Sequence, residues 1–191
     1  MSKFCKCPKC ETVHPVSAAL GTSNDELRNR ISIYIDGGNM YHAAKKLGFK
    51  VDYIRLRDYF VSSSAELYRT YYYAAHDSTQ GFIMKILDFL RHNGFVVVTK
   101  KVKKFSSMMK GNLDVELVID MLVNREYYDT AILVSGDGDF TRCVKELQTS
   151  GKKVYVVSTE KTSPPLLAQE LKNQADAFIE LADIIPFVKQ Q

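Results

Sequence analysis

Short apolar runs alternate with helical periodicities along most of the chain. The apolar runs are four to seven residues long and rich in Val, Ile or Tyr, as buried parallel strands are. Between them, apolar positions recur with the period of an α-helix. This alternation predicts an α/β protein, a three-layer sandwich with a mostly parallel central sheet. The predicted strands cover residues 31–35, 68–74, 95–99, 131–134 and 154–157, and the predicted helices cover 40–47, 55–62, 79–92, 114–124, 140–149 and 164–175.

The first 30 residues differ from the rest of the chain. They hold a cluster of cysteines and a polar stretch, residues 21–25, that is typical of a linker. We therefore expect an N-terminal segment, residues 1–30, followed by one α/β domain, residues 31–188. No apolar run approaches the roughly 18–20 residues of a membrane span, and no secretory signal is visible. A cytoplasmic protein without a membrane partner is expected.

The composition excludes several classes of protein. Hydrophobic residues make up 46% of the chain and charged residues 25%, which are ordinary values for a globular domain. A disordered chain, a collagen-like chain and a disulfide-rich miniprotein are therefore excluded. The formal net charge of +4 is too small to indicate a nucleic-acid partner, so the distribution of charge along the chain matters more.

Acidic side chains follow two of the predicted strands directly. Asp36 and Asn39 come after the first strand, and Ser135, Asp137 and Asp139 come after the fourth. Ligands of parallel sheets bind beyond the carboxyl ends of the strands, so we expect these side chains to lie at one edge. The alternative is that Asp137 and Asp139 only form a turn, with Asp139 capping the next helix.

A further carboxylate, Asp114, lies at the start of the helix predicted over residues 114–124. Helical spacing predicts an apolar stripe at Val115, Val118 and Leu122 and places Asp114 beside it, toward the buried side. A carboxylate there either caps the helix or is directed at a ligand. Asp120 falls about two turns away, on the polar side of the same helix.

Converging carboxylates repel one another, so such a cluster holds either protons or a hard cation. With oxygen ligands and no histidine among them, the expected ion is Mg²⁺ or Mn²⁺. Ions of this kind orient water and stabilise the charge that develops on a phosphodiester during hydrolysis. The chain has neither of the common glycine-rich phosphate loops, which disfavours a nucleotide-binding fold of that type.

Five lysines lie between the third predicted strand and Asp114, with no acidic residue among them. They would neutralise RNA phosphates next to the acidic site, or they form an ordinary solvated loop, and both interpretations stay open. Phe105 lies among them and would either stack on a base or anchor the loop to the core. The candidate RNA-binding residues are Lys100, Lys101, Lys103, Lys104 and Lys110.

Three ordered motifs resemble the NYN domain, and within it the LabA-like branch. They are Asp-Gly-Gly-Asn at residues 36–39, Lys-Gly-Asn-Leu-Asp-Val-Glu-Leu-Val-Ile-Asp-Met at 110–121, and Ser-Gly-Asp-Gly-Asp-Phe at 135–140. The resemblance covers about residues 31–185. It implies a PIN-like fold and a metal-dependent acidic site of the ribonuclease type.

Position by position, the resemblance implies a set of carboxylates that bind the metal and carry catalysis, together with three supporting side chains. The helix acid here follows Gly111 by three residues, whereas the family pattern often reads Gly-x-Asp. The implied catalytic and metal-binding residues are Asp36, Asp114, Asp137 and Asp139, with Asn39, Ser135 and Asp120 in support.

The N-terminal segment offers four zinc ligands within ten residues: Cys5, Cys7, Cys10 and His14. The Cys7-x-x-Cys10 spacing lets two thiolates share one ion, but a complete zinc ribbon needs a second such pair and the chain has none. Structural zinc, a free N-terminal segment and a role with another metal or in redox chemistry therefore all stay open. Cys143 lies inside a predicted helix and is expected to be a packed thiol.

The first functional hypothesis is a Mg²⁺- or Mn²⁺-dependent endoribonuclease of the NYN/PIN type that acts on single-stranded or structured RNA. The alternative is a non-catalytic RNA-binding or regulatory NYN module. A phosphohydrolase for a small phosphorylated molecule is the third, and the lysine run argues against it. The intact acids favour the first hypothesis over the second. The sequence leaves open which RNA is cut, how many metal ions bind and whether the chain forms a homodimer.

Overall fold

The computed structural model describes residues 4–6, 13–15, 29–61, 65–76, 81–101 and 112–191. In this part of the chain, eight strands form one sheet with helices on both of its faces. The strands are β1 (Phe4–Lys6), β2 (Val13–Pro15), β3 (Asn29–Asp36), β4 (Ala65–His76), β5 (Phe95–Lys101), β6 (Thr130–Val134), β7 (Lys153–Ser158) and β8 (Ala177–Glu180). The helices are α1 (Gly37–Lys46), α2 (Tyr53–Phe60), α3 (Gly81–His92), α4 (Asp114–Val123), α5 (Thr141–Thr149), α6 (Gln169–Gln174) and α7 (Leu181–Val188).

The strand order places one topological reversal at the centre of the sheet. The order is β2-β1-β8-β7-β6-β3-β4-β5, and the six strands from β8 to β5 are parallel. From β3 the chain builds outward through β4 to β5, and from β6 it builds the other way through β7 to β8. The reversal between β3 and β6 opens a crevice at the carboxyl ends of these two strands, where parallel sheets bind ligands.

Side chains of the central strands are buried on both faces of the sheet. In β3, Ile31, Ile33 and Ile35 pack under α1, α2, α3 and α7. The intervening Tyr34 packs on the opposite face, under α4, α5 and α6. A strand covered on both faces has a nearly continuous apolar sequence, which explains the short apolar runs along the chain. The three-layer α/β prediction is confirmed.

The elements agree with those predicted from the sequence except in the N-terminal segment, near the C-terminus and in one helix. The helix predicted over 164–175 begins only at Gln169, because Pro164 and Pro165 cannot supply backbone N–H donors to a helix. Strands β1, β2 and β8 and helix α7 were not predicted. Gly94 and Gly151 follow the ends of α3 and α5, and both adopt positive φ, at 82° and 78°.

The outward face of α4 differs from its prediction. Leu117 and Met121 are the fully buried residues of this helix, whereas Val118 and Leu122 are half-buried. Val115, predicted to lie in the apolar stripe, is 69% exposed. Helical spacing gave the angles between these side chains, but the direction of the core depends on how α4 lies on the sheet.

The N-terminal strands form an antiparallel pair, and β1 also pairs with β8 at the edge of the sheet. Cys5 and His14 are directly opposite each other in this pair. Cys7 and Cys10 lie outside the described residues. Cys143 is buried in α5, so the prediction of a packed thiol is confirmed. Among the described residues, the helices are all too short or too polar to cross a bilayer.

Candidate metal-dependent active site

The two loops of the central crevice begin side by side. Ile35 of β3 and Val134 of β6 are partners in the parallel pairing, so the next residues, Asp36 and Ser135, are neighbours at the carboxyl edge. The Ser135 hydroxyl donates a hydrogen bond to Asp36 Oδ2 over 3.0 Å. Ser135 is buried and Asp36 half-buried. The strand register therefore brings together residues that are 99 positions apart in the chain.

Asp36 also organises the start of α1. Its Oδ1 accepts a hydrogen bond from the Asn39 N–H at 3.0 Å, which makes Asp36 the N-cap of this helix. Asn39 in turn accepts, through its own Oδ1, a hydrogen bond from the Gly136 N–H at 3.1 Å. Both oxygens of Asp36 are thus bonded, and two cross-links hold the β3 and β6 loops at a fixed separation.

Gly136 has no room for a side chain. A Cβ atom at this position would lie 1.9 Å from the Leu166 carbonyl oxygen and 2.4 Å from Ser158 Oγ. The Gly136 carbonyl also accepts a hydrogen bond from the Ala168 N–H at 2.8 Å. The β6 loop is therefore packed between the β3 loop and the segment that precedes α6, and close backbone approach is the reason for glycine here.

Three carboxylates meet at the open side of these loops. Asp114, Asp137 and Asp139 each offer an oxygen, and these atoms lie within 4.8 Å of one another. Asp137 accepts a hydrogen bond from the Asp139 N–H at 3.0 Å and thereby caps the 3₁₀ turn that carries Asp139. The Asp114 N–H donates to the side-chain oxygen of Asn112 at 2.7 Å, which fixes the start of α4.

The charges of this edge act on one another. Burial raises the pKa of Asp114 above its ordinary value, and the charges of Asp36, Asp137 and Asp139 raise it further, against a hydrogen bond from Asn112. Burial likewise raises the pKa of Asp36, opposed by the hydrogen bonds from Asn39 and Ser135, and the charge of Asp137 adds to the increase. A bound cation would relieve this repulsion.

The donor set suits a small hard cation. All the available ligand atoms of the three-carboxylate group are oxygens, and such sets select Mg²⁺ or Mn²⁺ over softer metals. The structure thus brings together three of the four carboxylates expected to bind metal. The fourth, Asp36, lies outside this group of three but close enough for its charge to raise the pKa of Asp114.

Asp120 has a different environment. It accepts a hydrogen bond from the Tyr73 hydroxyl at 2.8 Å, and it lies outside the three-carboxylate group. Tyr73 is the register partner of Asp36 in the β3–β4 pairing. Asp120 therefore ties α4 to the sheet, and a supporting role in the site stays a prediction.

Of the candidate RNA-binding lysines, Lys100 and Lys101 lie within the described residues and end β5. Lys100 Nζ is 3.3 Å from Glu116 Oε1 and 3.5 Å from the Asn112 carbonyl oxygen. Lys101 is exposed. The other three, Lys103, Lys104 and Lys110, lie outside the described residues.

Two residues of the site were missed by sequence reasoning. Asn112 lies two positions before the first residue of α4, a spacing at which Asn side chains commonly accept a backbone N–H, so this role could have been found. Glu116 contacts Lys100 across 16 positions of sequence. No local pattern predicts that contact, because it depends on how α4 packs beside β5.

Comparison with known proteins identifies the family. The profile described as the NYN domain matches residues 30–182, which is most of the chain. The chain belongs to the NYN family. NYN domains are PIN-like and related to ribonucleases, so the resemblance seen in the three motifs is confirmed.

Two relatives of this NYN chain are informative. It is 37% identical over 173 residues to "Low amplitude and bright protein LabA" of Synechococcus elongatus, covering 85% of this chain and 89% of that protein. It also resembles the crystal structure of a protein of unknown function, VPA0982, from Vibrio parahaemolyticus. That match has a TM-score of 0.72 and 27% identity, and it covers 87% of this chain and 99% of the other.

Proposed function

We propose that this NYN protein is a metal-dependent endoribonuclease that hydrolyses RNA phosphodiester bonds. One observation carries the proposal: Asp114, Asp137 and Asp139 have carboxylate oxygens within 4.8 Å of one another at the crevice between β3 and β6. Like charges at this separation are costly unless a cation joins them. Because the chain belongs to a ribonuclease-related family, we propose that a hard cation at this position promotes hydrolysis of a phosphodiester.

We propose the following roles for the residues of the site. The three carboxylates hold Mg²⁺ or Mn²⁺, and the cross-links from Asp36 to Ser135 and from Asn39 to Gly136 keep their loops in place. We keep Asp36 in the proposed catalytic set because it lies at the same sheet edge, hydrogen-bonded to Ser135, two residues before Asp137. When bound, the ion would lower the pKa of a water molecule and offset the charge that develops on the phosphate.

Hydrolysis of the phosphodiester is balanced by water alone. A water oxygen forms a bond to phosphorus, the bond from phosphorus to one ester oxygen breaks, and the released ribose oxygen takes up a proton. The reaction needs no oxidant or reductant. The acidic edge therefore offers what the proposed chemistry requires: carboxylates that would hold a cation, and access for water, since Asp139 is exposed.

RNA is the proposed substrate because a run of lysines leads from β5 to Asp114. Each lysine that contacts a phosphate should lower the salt slope of binding by about 0.7–0.9 when it is lost. A variant in which the four lysines between residues 100 and 104 are replaced by Gln should bind RNA more weakly at low salt. Its turnover of a bound short oligonucleotide should be unchanged. An unchanged slope would favour a small phosphorylated substrate instead. These lysines are Lys100, Lys101, Lys103 and Lys104.

A cleavage assay tests the nuclease proposal directly. A mixture of labelled single-stranded and hairpin RNAs is incubated with the full chain in Mn²⁺, Mg²⁺ or EDTA, and the products are separated on a denaturing gel. We expect metal-dependent internal cleavage that is lost in Asp137→Asn and in Asp139→Asn. The matched control is Asp88→Asn on α3, which removes the same charge from a side chain paired with Arg91 and should leave cleavage unchanged.

This assay, together with measurements of RNA binding and of phosphate-ester hydrolysis, separates the alternative functions. An RNA that binds but is not cut in either metal would favour the non-catalytic RNA-binding or regulatory module. Cleavage that persists in EDTA and in Asp137→Asn would show that the three-carboxylate group is not the catalytic centre. Hydrolysis of small phosphate esters without RNA binding would favour the phosphohydrolase.

We also propose a structural zinc ion in the N-terminal segment. The support is that Cys5 and His14 are directly opposite in the β1–β2 pairing, and opposite residues have Cβ atoms about 4.5–5.5 Å apart. Cys7 and Cys10 would complete the ligand set from between the two strands. Metal analysis of the purified chain should find one zinc per chain, reduced in Cys10→Ser. A zinc-free native chain would favour the free segment.

The outer face of α4 supports a homodimer. Val115, Ile119 and Val123 recur every four residues on this face and are 69%, 51% and 68% exposed. Exposed apolar side chains grouped on one helix face form a candidate interaction surface, and we propose a second copy of the chain as its partner. Sedimentation should show a dimer that Ile119→Glu dissociates. The control, Phe89→Glu, changes a 56% exposed side chain on α3 and should have no effect. A monomeric wild type would reject the dimer.

A further inference from the structure

Lys100 reaches from β5 to the beginning of α4. Side chains alternate along a strand, and Val96 and Val98 pack against the layer that contains α4. Lys100 has the same parity and points to the same face, where its Nζ lies 3.3 Å from Glu116 Oε1. Lys101 has the opposite parity. Of these two neighbouring lysines, the strand therefore directs Lys100 toward the acidic site.

Asn112 connects this lysine to the three-carboxylate group. Its carbonyl oxygen lies 3.5 Å from Lys100 Nζ, and its side-chain oxygen holds the Asp114 N–H at 2.7 Å. Glu116 follows Asp114 by two residues in the first turn of α4. The Lys100 ammonium group thus contacts residues two positions before and two positions after the metal-ligand candidate Asp114, on the β5 side of the group.

The Lys100–Glu116 pair is accessible and weakly held. The side chains are 54% and 38% exposed, and pairs of this kind contribute little to stability. The distance of 3.3 Å is also longer than the roughly 2.7–2.9 Å of strong charge-assisted hydrogen bonds. A phosphate oxygen that other contacts hold beside the acidic group can therefore replace the Glu116 carboxylate at little energetic cost.

We propose that Lys100 is the phosphate contact beside the proposed metal site and that Glu116 is a built-in competitor for it. The inference rests on the proposed function and adds to it a selectivity for polyanions. Glu116 is tethered near Lys100, so its effective concentration is high, and a free mononucleotide displaces it poorly. An oligonucleotide held by other contacts presents its phosphate at a comparable effective concentration and displaces Glu116.

A double-mutant cycle tests the pair. Binding of a labelled single-stranded RNA is measured by fluorescence anisotropy in EDTA across a range of salt concentrations, for wild type, Lys100→Gln, Glu116→Gln and the double variant. Removing the competitor should tighten binding about two- to fivefold at low salt, the range of an exposed ion pair. Lys100→Gln should weaken binding and lower the salt slope by about 0.7. In the Lys100→Gln background, Glu116→Gln should have little further effect.

Two control variants have the same charge changes at the amino end of the sheet. Glu66→Gln near the start of β4 and Lys153→Gln at the start of β7 change exposed side chains far from the crevice. Each should leave both affinity and salt slope close to wild type. If Glu66→Gln tightens binding as much as Glu116→Gln does, net charge explains the effect and the competitor role is rejected.

The remaining outcomes are distinguishable from failure of the proposed function. An unchanged salt slope in Lys100→Gln rejects this phosphate contact, even if the enzyme cuts RNA. Equal tightening by Glu116→Gln in both backgrounds rejects competition through Lys100. If the cycle behaves as expected but the chain does not cleave RNA in Mn²⁺ or Mg²⁺, the nuclease proposal fails and the Lys100–Glu116 inference stands. A wild type that does not bind RNA overturns both.

Discussion

Replacing Asp114 by Asn should stabilise the metal-free protein at neutral pH. The substitution keeps the size of the side chain and leaves the backbone N–H of residue 114 bonded to Asn112. It removes one negative charge from a group whose oxygens lie within 4.8 Å of one another. Most single substitutions destabilise a protein, so a gain in stability here is diagnostic.

The magnitude follows from the geometry. At 4.8 Å, two unit charges repel by about 0.9 kcal/mol in water and about 3.5 kcal/mol at an effective dielectric constant of about 20. Asp114 faces two such partners, but Asp139 is exposed, so the low end applies and the relief is about 1–2 kcal/mol. Losing a charge in the first turn of α4 costs about 0.5 kcal/mol. The net gain is about 1 kcal/mol.

The pH dependence of wild-type stability should also show that the Asp114 charge is destabilising. Because the pKa of Asp114 is raised in the folded state above its ordinary value of 3.8, the folded state binds this proton more readily than the unfolded state. Wild-type stability therefore falls as pH rises from 3.8 through the raised pKa, and the penalty is complete at neutral pH. Below 3.8 the carboxyl is protonated in both states, and the variant should lose its advantage.

Urea denaturation followed by circular dichroism measures these effects. Wild type and variant are compared in EDTA at neutral and acidic pH, and again with Mg²⁺ or Mn²⁺. A ligand that binds the native state raises stability by mass action, so the metal should stabilise wild type more than Asp114→Asn. The control is Asp183→Asn in the first turn of α7, where the carboxylate pairs with Lys161 and its loss should destabilise slightly.

Two results would refute the reasoning. If Asp114→Asn lowers stability at neutral pH in EDTA by about 1 kcal/mol or more, the carboxylates do not repel one another as their spacing requires. If the metal stabilises the variant as much as wild type, Asp114 is not a ligand. If Asp114→Asn is more stable than wild type at neutral pH and remains more stable at acidic pH, the gain has a cause other than charge.

Three further predictions concern the surroundings of the site. Ser135→Ala should lower the urea midpoint by the equivalent of about 1–3 kcal/mol, because Asp36 loses a hydrogen bond in a half-buried position; an unchanged midpoint would show that the bond contributes nothing. Gly136→Ala should cost about 3 kcal/mol or prevent folding, since its Cβ would overlap the Leu166 carbonyl, and a native circular dichroism spectrum at wild-type stability would contradict this. Burial raises the pKa of the Cys143 thiol to about 12. Iodoacetamide at pH 8 should therefore leave this residue unmodified in the native protein and alkylate it in urea, as peptide mapping would measure; alkylation in the native protein would contradict this.

The alternation of apolar runs with helical periodicity was enough to predict the layers of the fold. A strand covered on both faces must be apolar along its length, and β3 and β6 show this directly in their sequences. The position of the residues that follow these strands could also be predicted, because parallel strands end at the same edge of the sheet. Asp36, Ser135 and Asp137 were placed at that edge from the sequence for this reason.

The tertiary structure decided which of these groups meet. Strand order is set by long-range packing, so the reversal between β3 and β6 that creates the crevice has no local signature. The angle at which α4 lies on the sheet brings Asp114 to Asp137 and Asp139, turns Val115 outward and places Glu116 against Lys100. Periodicity fixes the angles between side chains on one helix, but only the contacts of that helix with the rest of the molecule fix where each side chain points.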